Sequence, residues 1–449
     1  MASIAIVGGG VAGLTCAWRL RRAGHDVEVL EREPVAGGRM RSEVHSTPRG
    51  DFLVDRGAQF VASGYRNLRG VAETLGIARQ LRPLATSRNA ILRDGRLEPG
   101  DYGSLLDFLR SDLLSWRAKL RLPRILVELA RDRRRLDPWH PERAAPLDRE
   151  DMAAYLCRVV GEEAAECLFA PAFSSTFDSD PEDLSGAFAL LVLRFVLGGF
   201  RLLAFDGGIG LLTRSLAAQV PVRGGCEVTS VETSEEGVRI SYRARAPGGA
   251  LGRENRVLAD AAVVALPGSL VSGVCATLTP AEKSFFAAVR YARGAICFLM
   301  TERAPETIPG YGVAFPRRER VGLYGVAVDH HKPGAAPAGA GLLNAALTAE
   351  AAAELWDAPD GAIASHVVEA LARTPIGRLA PIATAVHRWD PMLPQFGAGY
   401  LRQLADFAAR RDRSPRLAFA GDYLLGPYTE MALTSGMRAA TEIARGLEA

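Results

Sequence analysis

The sequence predicts an α/β protein in which a parallel sheet, assembled from separate stretches of the chain, accompanies a second domain of mixed sheet plus helices. Three observations lead to this prediction. An apolar run at residues 4–7 passes into a glycine-rich turn, and a helical pattern follows at 11–22. Strand-like runs return between residues 227 and 266, and another stands at 417–420. Because 449 residues exceed the size at which one core keeps growing, two domains are expected.

The first glycine-rich turn has the spacing of a dinucleotide-binding motif. Gly8, Gly10 and Gly13 follow a G-x-G-x-x-G pattern, and Val11 and Ala12 open the helical stretch. The first glycine permits a tight turn, the second lets a pyrophosphate approach the backbone, and the third lets helix and strand pack closely. The helix N-terminus favours negative charge. This turn therefore predicts a Rossmann-like dinucleotide site.

An acidic residue stands where such a site needs one. Glu31 ends the strand pattern at residues 27–30 and is followed by Arg32. It lies about 20 residues past the glycines, where a carboxylate accepts hydrogen bonds from the ribose. The alternative is a surface glutamate after an ordinary glycine turn. The strand, turn, helix and second strand together favour the ribose ligand.

A second glycine-rich loop follows the acid and carries cations. It contains Gly37, Gly38, Arg39 and Arg41, and its guanidinium groups can offset the charge of a pyrophosphate. A basic surface turn is the alternative, but the position directly after Glu31 favours the cofactor. A strand pattern at residues 52–55 then leads into a further candidate segment. That segment holds Gly57, Ala58 and Gln59.

Composition excludes several other classes of protein. The net charge is only +3 and thinly spread, so nucleic acid is not an expected partner. The six cysteines form no C-x-x-C pair, which favours reduced core residues in a cytoplasmic protein, and no metal site is predicted. Because the chain starts in the nucleotide-binding strand, we expect no signal peptide. Residues 261–281 are uncharged, but Pro267 and Gly268 interrupt them, so no membrane-spanning helix is expected.

Helical patterns dominate from about residue 85 to 205. Leucines recur at amphipathic spacing over residues 102–135, which predicts one helix ending in a basic run at 131–135. We interpret that run as a solvated basic face, and a membrane-surface segment is the alternative. A second helix is expected over residues 151–167, and an alanine-rich one over 345–355.

In this order the motifs resemble those of the flavin-containing amine oxidase superfamily, which includes monoamine oxidases, porphyrinogen oxidases and carotenoid-type desaturases. The residues that carry the resemblance are Gly8 to Gly13, Glu31, Gly37 to Arg39, Val54 to Gln59, Glu227 and Val228, Ala265 to Pro267, and Gly421 and Asp422 through Ser435 and Gly436. The resemblance implies FAD rather than NAD. It also implies a non-covalent flavin, because Gly399 stands where some members carry the tethering cysteine.

The resemblance assigns a role to each end of the cofactor. Glu31 would hold the adenosine ribose, and Val228 would hold the adenine through its backbone. The loop at residues 37–41 would line the pyrophosphate, and Asp422, after Gly421, would bind the ribityl end. The last helix would direct N–H groups at the flavin O2 from its first residues, which are Glu430, Met431 and Ala432.

The same resemblance suggests hydride removal from the C–N bond of an amine-type substrate, with oxygen as the acceptor. Tyr400 and Tyr428 fall where monoamine oxidases place two rings facing the substrate nitrogen, and Trp389 belongs to the segment that reaches the flavin. Two packing tyrosines beside the cofactor are the alternative. Residues 294–300 lack the lysine that the family often carries there. Two alternatives remain open: oxidation of a porphyrinogen or polyene, and a flavin-bound protein without turnover.

These assignments divide the chain into five segments. The predicted FAD-binding domain takes residues 1–84, 205–270 and 396–449, the helical part of the substrate domain 85–204, and its sheet part 271–395. The substrate, the oligomeric state and any peripheral association with a membrane are left open by the sequence.

Overall fold

A computed structural model describes residues 1–448 except 87, 101–109, 197–200 and 246–250. The parallel sheet of the first domain has five strands. In spatial order these are Val222–Arg223, Asp26–Leu30, Ser3–Val7, Ala261–Val264 and Leu417–Phe419. The strands come from the first, third and last of the predicted segments, so the expected parallel sheet, discontinuous in sequence, is confirmed.

Both faces of this parallel sheet are covered, which explains the continuous apolar runs. Ile4 and Ile6 point into a core shared with the helices Val11–Arg22, Gly210–Ala217 and Thr429–Glu448. Ala5 and Val7 point into a second core. That core is shared with an antiparallel meander of Cys226–Thr233, Val238–Arg245 and Leu251–Ala259.

A mixed seven-stranded sheet forms the centre of the second domain. Its order is Pro381–Trp389, Gly294–Thr301, Gly341–Leu347, Leu323–Val328, Gly312–Ala314, Asn89–Arg93 and Arg96–Gly100. The helices Ala349–Glu354 and Asp360–Ala372 pack on one face, and the hairpin of Ser42–Thr47 and Gly50–Asp55 contributes to the core on the other. Two of these strands come from residues 89–100, which the sequence assigns to the helical part.

A helical layer covers the remaining side of the second domain. Its helices are Trp116–Lys119, Pro123–Arg131, Met152–Val160, Glu162–Ala164, the π-helical Ala165–Phe169, Ala170–Phe177 and Gly186–Val196. The other helices are Arg66–Thr74, Gly268–Val274, Pro280–Ala288 and Tyr400–Ala409, with short 3₁₀ turns at Ala78–Gln80, Pro141–Leu147, Pro181–Asp183, Arg317–Glu319, Asp329–His331 and Asp422–Leu424. A small sheet joins Val61–Ala62, Leu202–Phe205 and Leu81–Pro83.

Three expected helices differ from the structure. The helix expected over residues 102–135 lies partly outside the described residues, and its remainder is two short helices, because Pro123 starts a new one. The helix expected over 151–167 is interrupted at Gly161, which has φ 89°. The helix expected over 345–355 begins only at Ala349, after a buried strand. Within the described parts of the chain, no helix is long and apolar enough to cross a membrane.

Candidate cofactor and active site

The first glycine turn has the geometry that a pyrophosphate requires. Gly8 has φ 104°, and a Cβ there would lie 2.8 Å from the Ala265 carbonyl oxygen. A Cβ on Gly13 would lie 2.0 Å from the Gly8 oxygen, so only glycine allows the helix to pack on the strand this closely. A Cβ on Gly10 would meet no atom within 4 Å. That open space beside the backbone fits a dinucleotide phosphate.

Glu31 lies directly against this turn. Its Oε2 accepts a hydrogen bond from the Gly9 N–H at 2.6 Å, and its Oε1 accepts one from the Glu33 N–H at 2.8 Å. A carboxylate has about four acceptor sites, so it can still receive two ribose hydroxyls. The expected ribose ligand is therefore held in place by the backbone around it.

A meander strand approaches Glu31 at the expected adenine end of the site. The Cys226 N–H donates to the Glu31 carbonyl at 2.7 Å, which brings the strand carrying Val228 alongside. Arg32 instead extends outward, with a 57% exposed side chain 3.4 Å from the Glu33 carboxylate. Val228 is therefore well placed for the adenine, whereas a cofactor contact from the Arg32 side chain stays a prediction.

The second glycine loop folds back onto the first. The Gly37 N–H donates to the Gly9 carbonyl at 2.8 Å, and a Cβ on Gly38 would lie 3.3 Å from the Gly10 Cα. Gly37 and Gly38 have φ values of 134° and 53°, which side-chain-bearing residues rarely adopt. The two loops together therefore enclose the expected position of the pyrophosphate.

Arg39 links this loop to the C-terminal part of the chain. Its Nη1 lies 2.8 Å from Oδ2 of Asp422, and it also donates to the Met392 carbonyl. Burial disfavours the charged guanidinium, but the charge of Asp422, together with the interaction with Tyr291, outweighs that effect and raises the pKa of Arg39. The Tyr291 hydroxyl donates to Asp422 Oδ1 at 3.0 Å and accepts from the Gly268 N–H at 3.1 Å. Sequence reasoning missed Tyr291, because no motif marks it.

The segment after the hairpin runs beside the arginine loop. The Arg56 N–H donates to the Arg41 carbonyl, and the Ala58 N–H donates to the Arg39 carbonyl, both at 2.9 Å. A Cβ on Gly57 would lie 2.6 Å from the Arg39 oxygen. The Arg41 side chain forms no hydrogen bond or ion pair with the other described residues, so its guanidinium is available to a phosphate.

Gln59 belongs to a buried polar cluster that the sequence does not reveal. Its Nε2 donates to the carbonyls of Asp55 and Gly57 at 2.9 and 2.8 Å, and its Oε1 accepts from Lys332 Nζ at 2.7 Å. Lys332 Nζ also lies 3.2 Å from Asp55 Oδ2 and 3.0 Å from Asp329 Oδ1. Burial disfavours the charged lysine, but these carboxylates outweigh burial and raise its pKa. The amide of Gln59 is therefore engaged, and the cluster holds residues 55–59 in place.

The start of the C-terminal helix has fewer free donors than expected. Glu430 is fully buried, and its oxygens accept from the N–H groups of Asn67 and Leu68, each at 2.9 Å. It therefore caps the helix Arg66–Thr74. The N–H groups of Met431 and Ala432 both donate to the Tyr428 carbonyl, at 3.1 and 3.0 Å. A contact of Glu430, Met431 and Ala432 with the flavin O2 stays a prediction.

Gly421 and Asp422 are anchored against the same helix. The Gly421 N–H donates to Ser435 Oγ at 2.8 Å, and Asp422 is only 4% exposed. Farther along, a Cβ on Gly436 would lie 2.1 Å from the Ala12 carbonyl oxygen, so the C-terminal and N-terminal helices pack at backbone distance. This packing brings the Gly-Asp pair to the edge of the glycine turn.

Tyr400 lies in the aromatic core. It is 5% exposed, its hydroxyl donates to the Tyr423 carbonyl at 2.8 Å, and its ring meets Phe396 edge-on at 4.8 Å. Burial raises the pKa of this tyrosine well above its ordinary value. These contacts support the packing alternative for Tyr400, although they also fix it beside Asp422.

Tyr428 is surrounded by rings from the helical layer. Its ring centroid lies 5.7 Å from that of Phe177 and 6.3 Å from that of Phe195, the latter nearly parallel. No ring contact joins Tyr400 and Tyr428 among the residues that the structure describes. An aromatic pair facing one substrate atom therefore stays a prediction.

Trp389 holds the segment beside the cofactor loop. Its Nε1 donates to the Arg56 carbonyl at 3.0 Å, and the Arg56 guanidinium lies 5.7 Å from its ring centroid. A direct catalytic contact from Trp389 stays a prediction.

Near Trp389, the carboxylate of Glu43 binds two histidines. Its Oε1 is 2.8 Å from His387 Nε2 and 3.0 Å from His45 Nε2. Burial lowers the pKa of His387, and its contact with Glu43 only partly offsets this. The three side chains are close enough to share a metal ion, but Arg56, 3.6 Å from Glu43, already supplies a positive charge there. The expected absence of a metal stays a prediction.

A family model described as flavin containing amine oxidoreductase matches residues 11–444. The chain belongs to this family. The family binds a flavin, and the open space at Gly10, the carboxylate of Glu31 and the free guanidinium of Arg41 fit the dinucleotide of FAD. The protein is therefore an FAD-dependent oxidoreductase, as the sequence predicts.

Several characterised proteins are similar to this member of the family. A carotenoid phi-ring synthase of Streptomyces griseus is 29% identical over 98% of this chain and 87% of its own length. A mitochondrial protoporphyrinogen oxidase of Nicotiana tabacum is 27% identical over 40% of this chain and 34% of its own.

Solved structures share the fold. A putative protoporphyrinogen oxidase from Exiguobacterium sp. 255-15 has TM-score 0.77 at 18% identity, covering 100% of this chain and 99% of its own. The cyclohexylamine oxidase of Brevibacterium oxydans IH-35A has TM-score 0.75 at 19% identity, covering all of both chains.

Proposed function

We propose that the protein removes a hydride from a bulky hydrophobic substrate in a site walled by aromatic rings. The proposal rests on the aromatic side chains around Tyr428, just before the C-terminal helix. Phe177 and Phe195 contact its ring, and Phe188 extends the cluster with a centroid 5.3 Å from that of Phe177. Aromatic rings supply large apolar contact areas, which suits a substrate that is itself apolar.

FAD, when bound, supplies the two-electron acceptor, and the residues of this chain bind and orient it. Arg39, Arg41 and the two glycine loops neutralise and hold the dinucleotide. The aromatic cluster excludes water and positions the substrate carbon. The likeness to a carotenoid phi-ring synthase over 98% of the chain supports a hydrophobic substrate of the carotenoid type.

Hydride removal from the C–N bond of an amine-type substrate is the second candidate. The ring of Tyr428 favours it, because an aromatic face accommodates an amine nitrogen. Tyr400 weakens it, because its hydroxyl is engaged by Tyr423 and its ring is 5% exposed. We propose oxygen as the electron acceptor, since the sequence has no second nucleotide motif and no C-x-x-C pair.

Anaerobic mixing of the holoenzyme with one substrate class at a time tests this proposal. We expect a polyene or a porphyrinogen to bleach the flavin absorbance faster than a hydrophobic primary amine of similar size. Faster bleaching by the amine would instead support hydride removal from a C–N bond, the second candidate. If no substrate class bleaches the flavin, the result contradicts the proposed oxidation and supports a flavoprotein without turnover.

A further inference from the structure

A cluster of exposed apolar side chains lies on the outer side of the helical layer. Trp116, Leu120, Leu126 and Val127 are 67%, 78%, 53% and 63% exposed. Eleven large hydrophobic side chains are exposed in the part of the chain that the structure describes, and these four lie within twelve consecutive residues. Large exposed apolar side chains concentrated in one segment are typical of a site that contacts something apolar.

The core does not account for these side chains. The inward positions of the same two helices are taken by Ala118, Ile125 and Leu129, which are 5–6% exposed and belong to the main core of the helical layer. The outer positions would normally be polar on a helix that faces water. Packing against the described core therefore does not explain their apolar character.

Arginines are interspersed with these apolar side chains along the same segment. The exposed arginines of this segment are Arg117, Arg121, Arg124, Arg131, Arg133, Arg134 and Arg135. Arg131 and Arg135 bind the buried Asp132, and Arg131 also binds Glu128. The other five form no ion pair with any residue that the structure describes. The cluster and these seven arginines together are called the basic apolar surface below.

We propose that the basic apolar surface docks the protein on an anionic membrane. Trp116 and the leucines would enter the boundary between headgroups and acyl chains, and the guanidinium groups would bind lipid phosphates. The attachment would be peripheral, since no described helix is long and apolar enough to span a bilayer. For the basic run at 131–135 the inference takes the membrane-surface alternative, because Trp116 and Leu120 are exposed in the same segment.

Charge argues against a second copy of the chain as the occupant. A two-fold contact through this surface would bring five unpaired arginines against the same five. Like charges at an interface oppose association, whereas anionic lipids neutralise them. The proposal is independent of which substrate the enzyme oxidises.

Vesicle flotation of the FAD-loaded enzyme tests the proposal. We expect binding to phosphatidylcholine vesicles that contain about a third phosphatidylglycerol, weaker binding as salt is raised, and little binding to pure phosphatidylcholine. The double variant Leu120→Ser, Leu126→Ser should bind at least tenfold more weakly. Leu258→Ser is the matched control, because Leu258 is 75% exposed on a distant strand. Flavin content and melting temperature should be unchanged in each variant.

A second variant separates the electrostatic part of the proposal. Arg133→Glu, Arg134→Glu should also weaken binding to the anionic vesicles at least tenfold. Absence of binding to anionic vesicles, or equal losses in the Leu258→Ser control, would overturn the proposal. A dimer of the unmodified enzyme that Leu120→Ser abolishes, seen by light scattering without vesicle binding, would assign the surface to a second copy instead.

Discussion

Replacing Glu31 by alanine should weaken FAD binding at least tenfold. The carboxylate accepts from the Gly9 and Glu33 N–H groups, and its remaining acceptor sites are available to the expected ribose. A hydrogen bond to a charged group contributes about 1.5–3 kcal/mol. Since about 1.4 kcal/mol changes Kd tenfold, loss of a single ribose bond gives about ten- to a hundredfold weaker binding. Alanine also leaves the Gly9 N–H unpaired, which adds to the loss.

The assay is titration of FAD into flavin-free protein, followed by the quenching of flavin fluorescence. Glu33→Ala is the matched control, because that side chain is 50% exposed and pairs with Arg32 rather than with the glycine turn. Melting of both variants without flavin shows whether the fold itself has changed. A Glu31→Ala protein that binds FAD as tightly as the Glu33→Ala protein would refute the assignment of the ribose site.

Three further predictions concern the core, the substrate wall and pH. Lys332→Met should lower the free energy of unfolding by about 3–5 kcal/mol, because it leaves two buried carboxylates without their cation. Urea denaturation measures this loss, and Lys283→Met is the control because Lys283 is exposed. Tyr428→Ala should slow anaerobic flavin reduction about tenfold to a thousandfold, whereas Tyr428→Phe keeps the ring and should lose far less; rapid mixing measures both. Stability should fall as the pH drops below about 6.5, because burial lowers the pKa of folded His387 and the unfolded chain then binds the proton more readily. Melting against pH measures this, and His387→Gln should flatten the profile.

Each of these predictions has a contradicting outcome. Equal unfolding free energies for the two lysine variants would mean that the buried cluster contributes little to stability. Unimpaired reduction by Tyr428→Ala would remove the substrate wall from the proposed site, and an equal loss in Tyr428→Phe would assign proton transfer to the hydroxyl. A His387→Gln profile as steep as that of the unmodified protein would locate the acid sensitivity elsewhere.

The glycine turns and Glu31 could be predicted from the sequence because backbone geometry dictates them locally. Gly8, Gly37 and Gly38 adopt backbone angles that other residues rarely do, and Gly13 allows a contact that a Cβ would block. The spacing of these residues along the chain is therefore sufficient to predict the two turns. The domain boundaries and the cytoplasmic location have no such local signature, and they stay predictions.

The parts that the sequence did not reveal depend on contacts between distant residues. Lys332 meets Asp55 across 277 positions, and Tyr291 meets Asp422 across 131. The strand Gly341–Leu347 was mistaken in part for a helix, because an alanine-rich run fits either structure until the neighbouring strands are known.

The last strand of the parallel sheet has a consequence for how the protein is made. Leu417–Phe419 pairs with Ala261–Val264, which in turn pairs with Ser3–Val7. On the ribosome, the first strand can pair early with Asp26–Leu30, but its other edge must wait for Ala261–Val264. Pairing between such distant segments folds slowly and leaves apolar edges exposed meanwhile. The site expected for the cofactor is therefore complete only after the helix Thr429–Glu448 has been synthesised.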